Sequence, residues 1–251
     1  YTGWYTLSLH DALPILQAYR LAYSGQYNLG IQKAIAIFEQ SDNLEIKYRS
    51  GLLISNSYTL SRNFEGAFTY LDKILLLQDK ISDRQLRHDG LMVAAVLYNQ
   101  VGQYDLGKHY AELVLADNPS SRARCFANNL LVEASYYLNS MPEDDAVTDA
   151  MIATCSDHGE ALMANLARVF QARKWAGQGK PDNTVSMLEA HLSEIEATKY
   201  PRLISEVHSL LGEYKLKLGN LAEAKLHAEL AVRESASSPF SFPLVAAEKT
   251  L

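Results

Sequence analysis

Apolar residues recur along this chain with a helical rather than a strand-like period. Leu106, Tyr110, Leu113 and Val114 fall three and four positions apart, a stripe along one side of a helix. An apolar run over residues 91–98 precedes them, and Pro119 follows and would stop the second helix. Between the two patterns stand Gly102, Tyr104 and Gly107: a turn residue, an aromatic residue, then a small residue three positions on. The same figure returns as Gly219, Leu221 and Ala224, and without the glycine as Arg62, Phe64 and Ala67. Gly25, Tyr27 and Gly30 make a further copy, as do Gly179, Pro181 and Thr184.

These turns fall at positions 25, 62, 102, 179 and 219, separated by 37, 40, 77 and 40 residues. The gap of 77 is close to twice its neighbours and predicts a hidden turn near 141, where residues 138–145 are rich in turn formers. Six turns at a near-constant spacing predict an all-α chain, an α-α superhelix of about six helical hairpins with a period near 40 residues. The small residues have a steric role. Ala67, Gly107 and Ala224 are expected where the two helices of a hairpin approach most closely, and overpacking there costs about 1–3 kcal/mol.

The pattern resembles the tetratricopeptide repeat. Gly212, Gly219, Leu221, Ala224, Ala228 and Ala231 follow that consensus in the last full copy, and Tyr98, Gly102, Tyr104 and Pro119 follow it in the third. The resemblance covers residues 16–251. It departs from the family in three ways: the period exceeds the usual value of about 34, no copy keeps the family's tryptophan, and the copy at 123–157 is degenerate. What it implies is a protein-interaction scaffold whose first helices line a concave groove that takes a protein or peptide. Polar positions on those helices, Asn56, Asn99, Arg173 and Glu213, are the expected contacts. Leu52 and Val93 stand near the lysine and asparagine of the family's chaperone-tail clamp, so that activity is not expected.

A narrower resemblance lies in residues 210–245, which are similar to the tetratricopeptide sensory region of bacterial GGDEF proteins. It implies the N-terminal regulatory region of a bacterial signalling protein, placed in the periplasm, ahead of a transmembrane helix and a diguanylate cyclase domain. No GGDEF motif occurs within the 251 residues. The segment itself is therefore expected to be non-enzymatic, with a stand-alone adaptor, cytoplasmic if so, as the alternative.

The two ends need separate treatment. Residues 5–15 resemble the frame translation of a sequencing adapter, so residues 1–15 are expected to lie outside the fold, with no function for Trp4 or His10. The chain is expected to be a fragment whose last residues run into a further helix. The serine-rich stretch 235–239 reads as a loop, and Phe240 and Phe242 as caps on the apolar seam.

Composition narrows the function classes. A net charge of −6 argues against a general nucleic-acid binder, which needs a basic stripe for phosphates. No apolar run is long enough for a membrane span. Cys125 and Cys155 could pair in an oxidising compartment, but two buried free thiols are the expectation.

Candidate chemistry is sparse, and no cofactor is expected. Cys155 and His158 have a ligand-like spacing, yet a metal site needs three or four ligands and nothing nearby supplies them. An all-helical enzyme using those two residues is the remaining catalytic alternative. His88, His109, His191, His208 and His227 share no helical spacing and are expected at surfaces or edges. Gly177, Gly179 and Lys180 echo a phosphate loop, but Pro181 follows where a hydroxyl residue is needed, so they read as a repeat turn. Glu143, Asp144 and Asp145 read as charges favoured at the first turn of a helix.

Overall fold

The computed structural model describes residues 9–23 and 26–237. Among them every regular element is helical: α1 (Leu9–Tyr23), α2 (Tyr27–Gln40), α3 (Leu44–Leu60), α4 (Phe64–Leu75), α5 (Arg84–Gln100), α6 (Tyr104–Ala116), α7 (Ser121–Tyr137), α8 (Asp145–Asp157), α9 (Ala161–Gly177), α10 (Pro181–Ala190), α11 (Leu192–Ala197), α12 (Pro201–Lys217) and α13 (Leu221–Ser237), with one 3-10 turn at Gln78–Lys80. The all-α class and the neighbouring-pair arrangement are as expected. The breaks after α3, α5, α9 and α12 fall on the turns read from the sequence, and the hidden turn lies between α7 and α8. The first of these turns lies partly outside the described residues.

Each turn closes in the same way. The residue one or two positions past the helix is left-handed: Arg62 at φ 61°, Gly102 at 79°, Asn139 at 52°, Gly179 at 74° and Gly219 at 82°. The next N–H then donates back to a carbonyl five residues earlier, as Asn63 to Tyr58, Gln103 to Tyr98, Ser140 to Ser135, Lys180 to Trp175 and Asn220 to Lys215, all at 2.8–3.0 Å. Arg62 shows that glycine is preferred but not required, at a cost of about 1–2 kcal/mol for the left-handed backbone. Helix starts are fixed by side chains. Asn43 accepts from the Glu45 and Ile46 N–H groups, Asp83 from Gln85 and Leu86, and Asp144 from Ala146.

The small residue of the repeat is the fourth of each second helix, and it is buried every time: Gly30, Ala67, Gly107, Thr148, Thr184 and Ala224. Thr148 shows that even the degenerate copy keeps the rule. A Cβ on Gly107 would lie 1.9 Å from Asn99 Oδ1, so only hydrogen fits there. Thr184 is tolerated because its hydroxyl donates to the Ala172 carbonyl at 3.0 Å. Five first helices, α3, α5, α7, α9 and α12, have the same length of 17 residues. Second helices run from 10 to 17.

Where one repeat domain is expected over 16–251, the chain divides into two compact units, Tyr1–Ala134 and Ser135–Leu251, with the boundary inside α7. The first unit packs Tyr48, Ile54, Leu71, Ile74, Ile81, Leu86 and Leu97 in its main core, beside a second cluster around Leu91, Ala95, Ala111, Val114 and Leu130. The second unit packs Val169, Leu188, Ile195, Leu203, Val207 and Leu211.

Two boundaries are corrected. The fold reaches back past residue 16: α1 begins at Leu9, and Ile15 is fully buried in the first core. Ser235 is not in a loop. It lies within α13, buried, with its hydroxyl 2.6 Å from that of Ser205. Trp4, Phe240, Phe242 and the expected terminal helix lie outside the described residues, as does the side chain of His10.

Candidate functional site

The expected contact residues have different fates. Asn99 is not exposed: it retains 3% of its surface, and its amide nitrogen donates to the Leu130 carbonyl and to Glu133, each at 3.1 Å. Gly107 supplies the space that lets it turn inward. Asn56 is half-buried on α3. Arg173 and Glu213, on α9 and α12, fall in one surface of the second unit.

Arg173 is the centre of that surface. Its guanidinium lies 2.7 Å from Glu206 of α12 and donates to the Tyr137 hydroxyl at 3.2 Å. It also sits 5.7 Å from the Phe170 ring centroid. Burial disfavours the Arg173 charge, but Glu206 together with Tyr137 and Tyr136 outweighs it and holds the group firmly protonated. Around the pair, Phe170 meets Tyr136 at 5.7 Å and Tyr137 at 6.2 Å between centroids. Further along α12, Lys217 lies 4.4 Å from the Tyr214 ring and 2.7 Å from Glu213. Arg173 and Glu206 keep 26% and 20% of their side-chain surface, so the ion pair is reachable from outside. The surface thus offers a forked cation, a carboxylate and aromatic rings.

Polar staples brace the helices behind it. Lys174 and Trp175 of α9 both reach Asp145 at 2.8 Å, and Lys174 also donates to the carbonyls of Pro142 and Glu143. Lys174 foremost holds the Asp145 carboxyl below its ordinary value. Buried Arg168 bonds Asn165 at 2.7 Å and pairs with Glu194 at 3.4 Å. The acidic run therefore does what its place at a helix start suggests, with Asp144 capping α8 and Asp145 in the first turn.

Both cysteines are disulfide-bonded, which corrects the expectation of free thiols and removes Cys155 as a nucleophile or ligand. His158 is an exposed C-cap bonded to the Thr154 carbonyl at 2.7 Å. Among the described residues no group of three or more metal-ligating side chains converges. Gly179 and Pro181 form the turn and first residue of α10. A polar cleft of about 450 Å³ lies at the start of α5, lined by Asp83, Arg84, Gln85, His88, Asn118, Pro119 and Ser120.

Two histidines expected at surfaces are buried instead. His88 is 1% exposed, with Nε2 2.8 Å from Asp117. His208 is 2% exposed and faces His227 across the last hairpin. Their side chains are 19 positions apart, so no local spacing reveals the contact; the antiparallel register about Gly219 is the signal that could have.

Among the described residues no helix is long and apolar enough to cross a membrane. Compared with protein-family models and with curated proteins, the chain matches none.

Proposed function

We propose that this chain is a tetratricopeptide-like scaffold that binds a protein or peptide segment, with the surface around Arg173 as the contact. The observation that carries the reading is the reachable Arg173–Glu206 pair rimmed by Tyr136, Tyr137 and Phe170. Arginine and tyrosine are the residue types that dominate interface energetics, and a partner carboxylate can replace Glu206 on the guanidinium fork. The test is a displayed peptide library panned against the intact chain. Selected peptides should lose binding to Arg173→Glu while helicity by circular dichroism is unchanged. Peptides that bind the wild type and Arg173→Glu equally would remove this surface from consideration.

We further propose, from the resemblance of residues 210–245, that the scaffold is the sensory region of a bacterial GGDEF signalling protein. Disulfide-bonded cysteines favour an oxidising compartment such as the periplasm. Sequencing the natural reading frame on both sides tests this. An apolar span followed by Gly-Gly-Asp/Glu-Glu-Phe downstream supports it, and a stop codon with neither feature favours a stand-alone adaptor.

A further inference from the structure

The last hairpin, α12 and α13, holds a histidine pair that the Arg173 surface does not use. His208 and His227 place their Nδ1 atoms 3.0 Å apart. The rings are inclined by 30° with centroids 5.2 Å apart, so they meet nitrogen to nitrogen rather than face to face. That arrangement suits one proton held between two nitrogens. It does not suit a shared metal ion, toward which both lone pairs would converge at about 2 Å from each nitrogen.

Glu196 of α11 lies 3.6 Å from His208 Nε2, and its negative charge favours the tautomer with the proton on that nitrogen, which leaves His208 Nδ1 as the acceptor. His227 Nδ1 is then the donor. The other charged groups facing the pair are Lys215 of α12, Glu189 of α10, and Glu223 and Arg233 of α13. Lys215 is itself held by both Glu189 and Glu223.

We propose that His208 and His227 form a proton-operated latch between α12 and α13, closed while one proton sits between the facing nitrogens and released when each ring carries its own. The first added proton goes to His227 Nε2 and leaves the Nδ1–H···Nδ1 bond intact. A second has only His208 Nδ1 to occupy. Because that atom is the acceptor, its protonation sets two N–H groups and two positive charges head-on. At 2% exposure, His208 gains no water in exchange unless α13 moves away. Burial, and then His227, brings His208 down to about 4; burial likewise lowers His227. The sign follows from these depressed values. The open hairpin takes protons more readily than the closed one, so fastening is complete above the ordinary histidine value of about 6.5 and weakens as pH falls below it.

Hydrogen exchange on the full chain tests the latch. Corrected for intrinsic rates, α13 amides should lose about 30-fold in protection between about pH 7.5 and pH 5, while α3 amides in the first unit do not. His227→Asn keeps a neutral donor that never becomes a cation, so its α13 protection should change less than that of the wild type over that range, the burial of His208 retaining part of the response. Unchanged protection in the wild type, equal loss in α3 and α13, or an undiminished response in His227→Asn would each overturn the proposal. Should that variant not fold, nitrogen-15 spectra of the wild-type imidazoles decide. His208 must be unprotonated at Nδ1 and titrate well below the ordinary histidine value of about 6.5; ordinary titration of His208 overturns the latch.

Discussion

Replacing Gly90 by alanine should destabilise the chain, although helix propensity alone predicts the opposite. Gly90 lies inside α5, where alanine is favoured over glycine by about 1 kcal/mol. The added methyl, however, would sit 1.8 Å from the Tyr48 hydroxyl oxygen and 2.9 Å from its Cζ. Tyr48 has no exposed surface, and its hydroxyl reaches Gln78 Oε1 at 3.4 Å. The ring is rigid, so the clash is relieved only by moving packed helices, at about 1–3 kcal/mol. Losing the Gln78 contact adds about 0.5–1.5 kcal/mol. The net expectation is a loss of about 0.5–3.5 kcal/mol, read at about 4 °C per kcal/mol as a fall of about 2–14 °C in the midpoint of the first unit's unfolding. Urea denaturation at several temperatures and calorimetry measure it. Tyr48→Phe removes the clashing oxygen, so the double variant should recover about 1 kcal/mol relative to additivity. Gly177→Ala is the control. It ends α9 with nothing within 4 Å of the new methyl, and should stabilise by about 0.5–1 kcal/mol. If Gly90→Ala is also stabilising, or Tyr48→Phe does not relieve it, the close approach of α3 and α5 is not what the distances imply.

Ala224→Trp should cost at least about 1–3 kcal/mol by calorimetry, since a 2% exposed position at the α12–α13 contact has no room for an indole. Asp145 should titrate below the ordinary carboxylate value of about 3.9 because of Lys174, then Trp175. Its contribution is therefore present above that pH and lost as pH falls through the depressed folded value; carboxyl carbon-13 titration checks this, and Lys174→Met should raise the midpoint. Reducing the disulfide with a thiol should destabilise by about 2–4 kcal/mol in denaturant titrations, whereas a cysteine pair that is already reduced would show no change.

The hairpins were legible because turn chemistry and the small residue three positions on occupy one short window, as at Gly102, Tyr104 and Gly107. Thr148 hid the degenerate copy, since threonine does not look like a packing residue until its place as the fourth residue of α8 is known. The site was half legible. Arg173 and Glu213 follow from their place on first helices, but Glu206 and the aromatic rim depend on how α9 and α12 lie side by side. Asn99 misled for a related reason: an amide reads as a surface group unless the missing side chain of Gly107 is matched to it. His208 and His227 were invisible because their meeting is set by hairpin register, and the cysteines because pairing depends on tertiary geometry.

The uniform first helices have an engineering consequence. At 17 residues each, α3, α5, α7, α9 and α12 span about 25 Å apiece, and adding one residue would rotate everything beyond it by about a quarter turn. Variation in length is instead absorbed by the second helices and the connections after them, such as residues 76–83 and 198–200. Tags, fluorophores or grafted loops belong in those connections, where the spacing of the repeat is already unequal and the first helices keep their register.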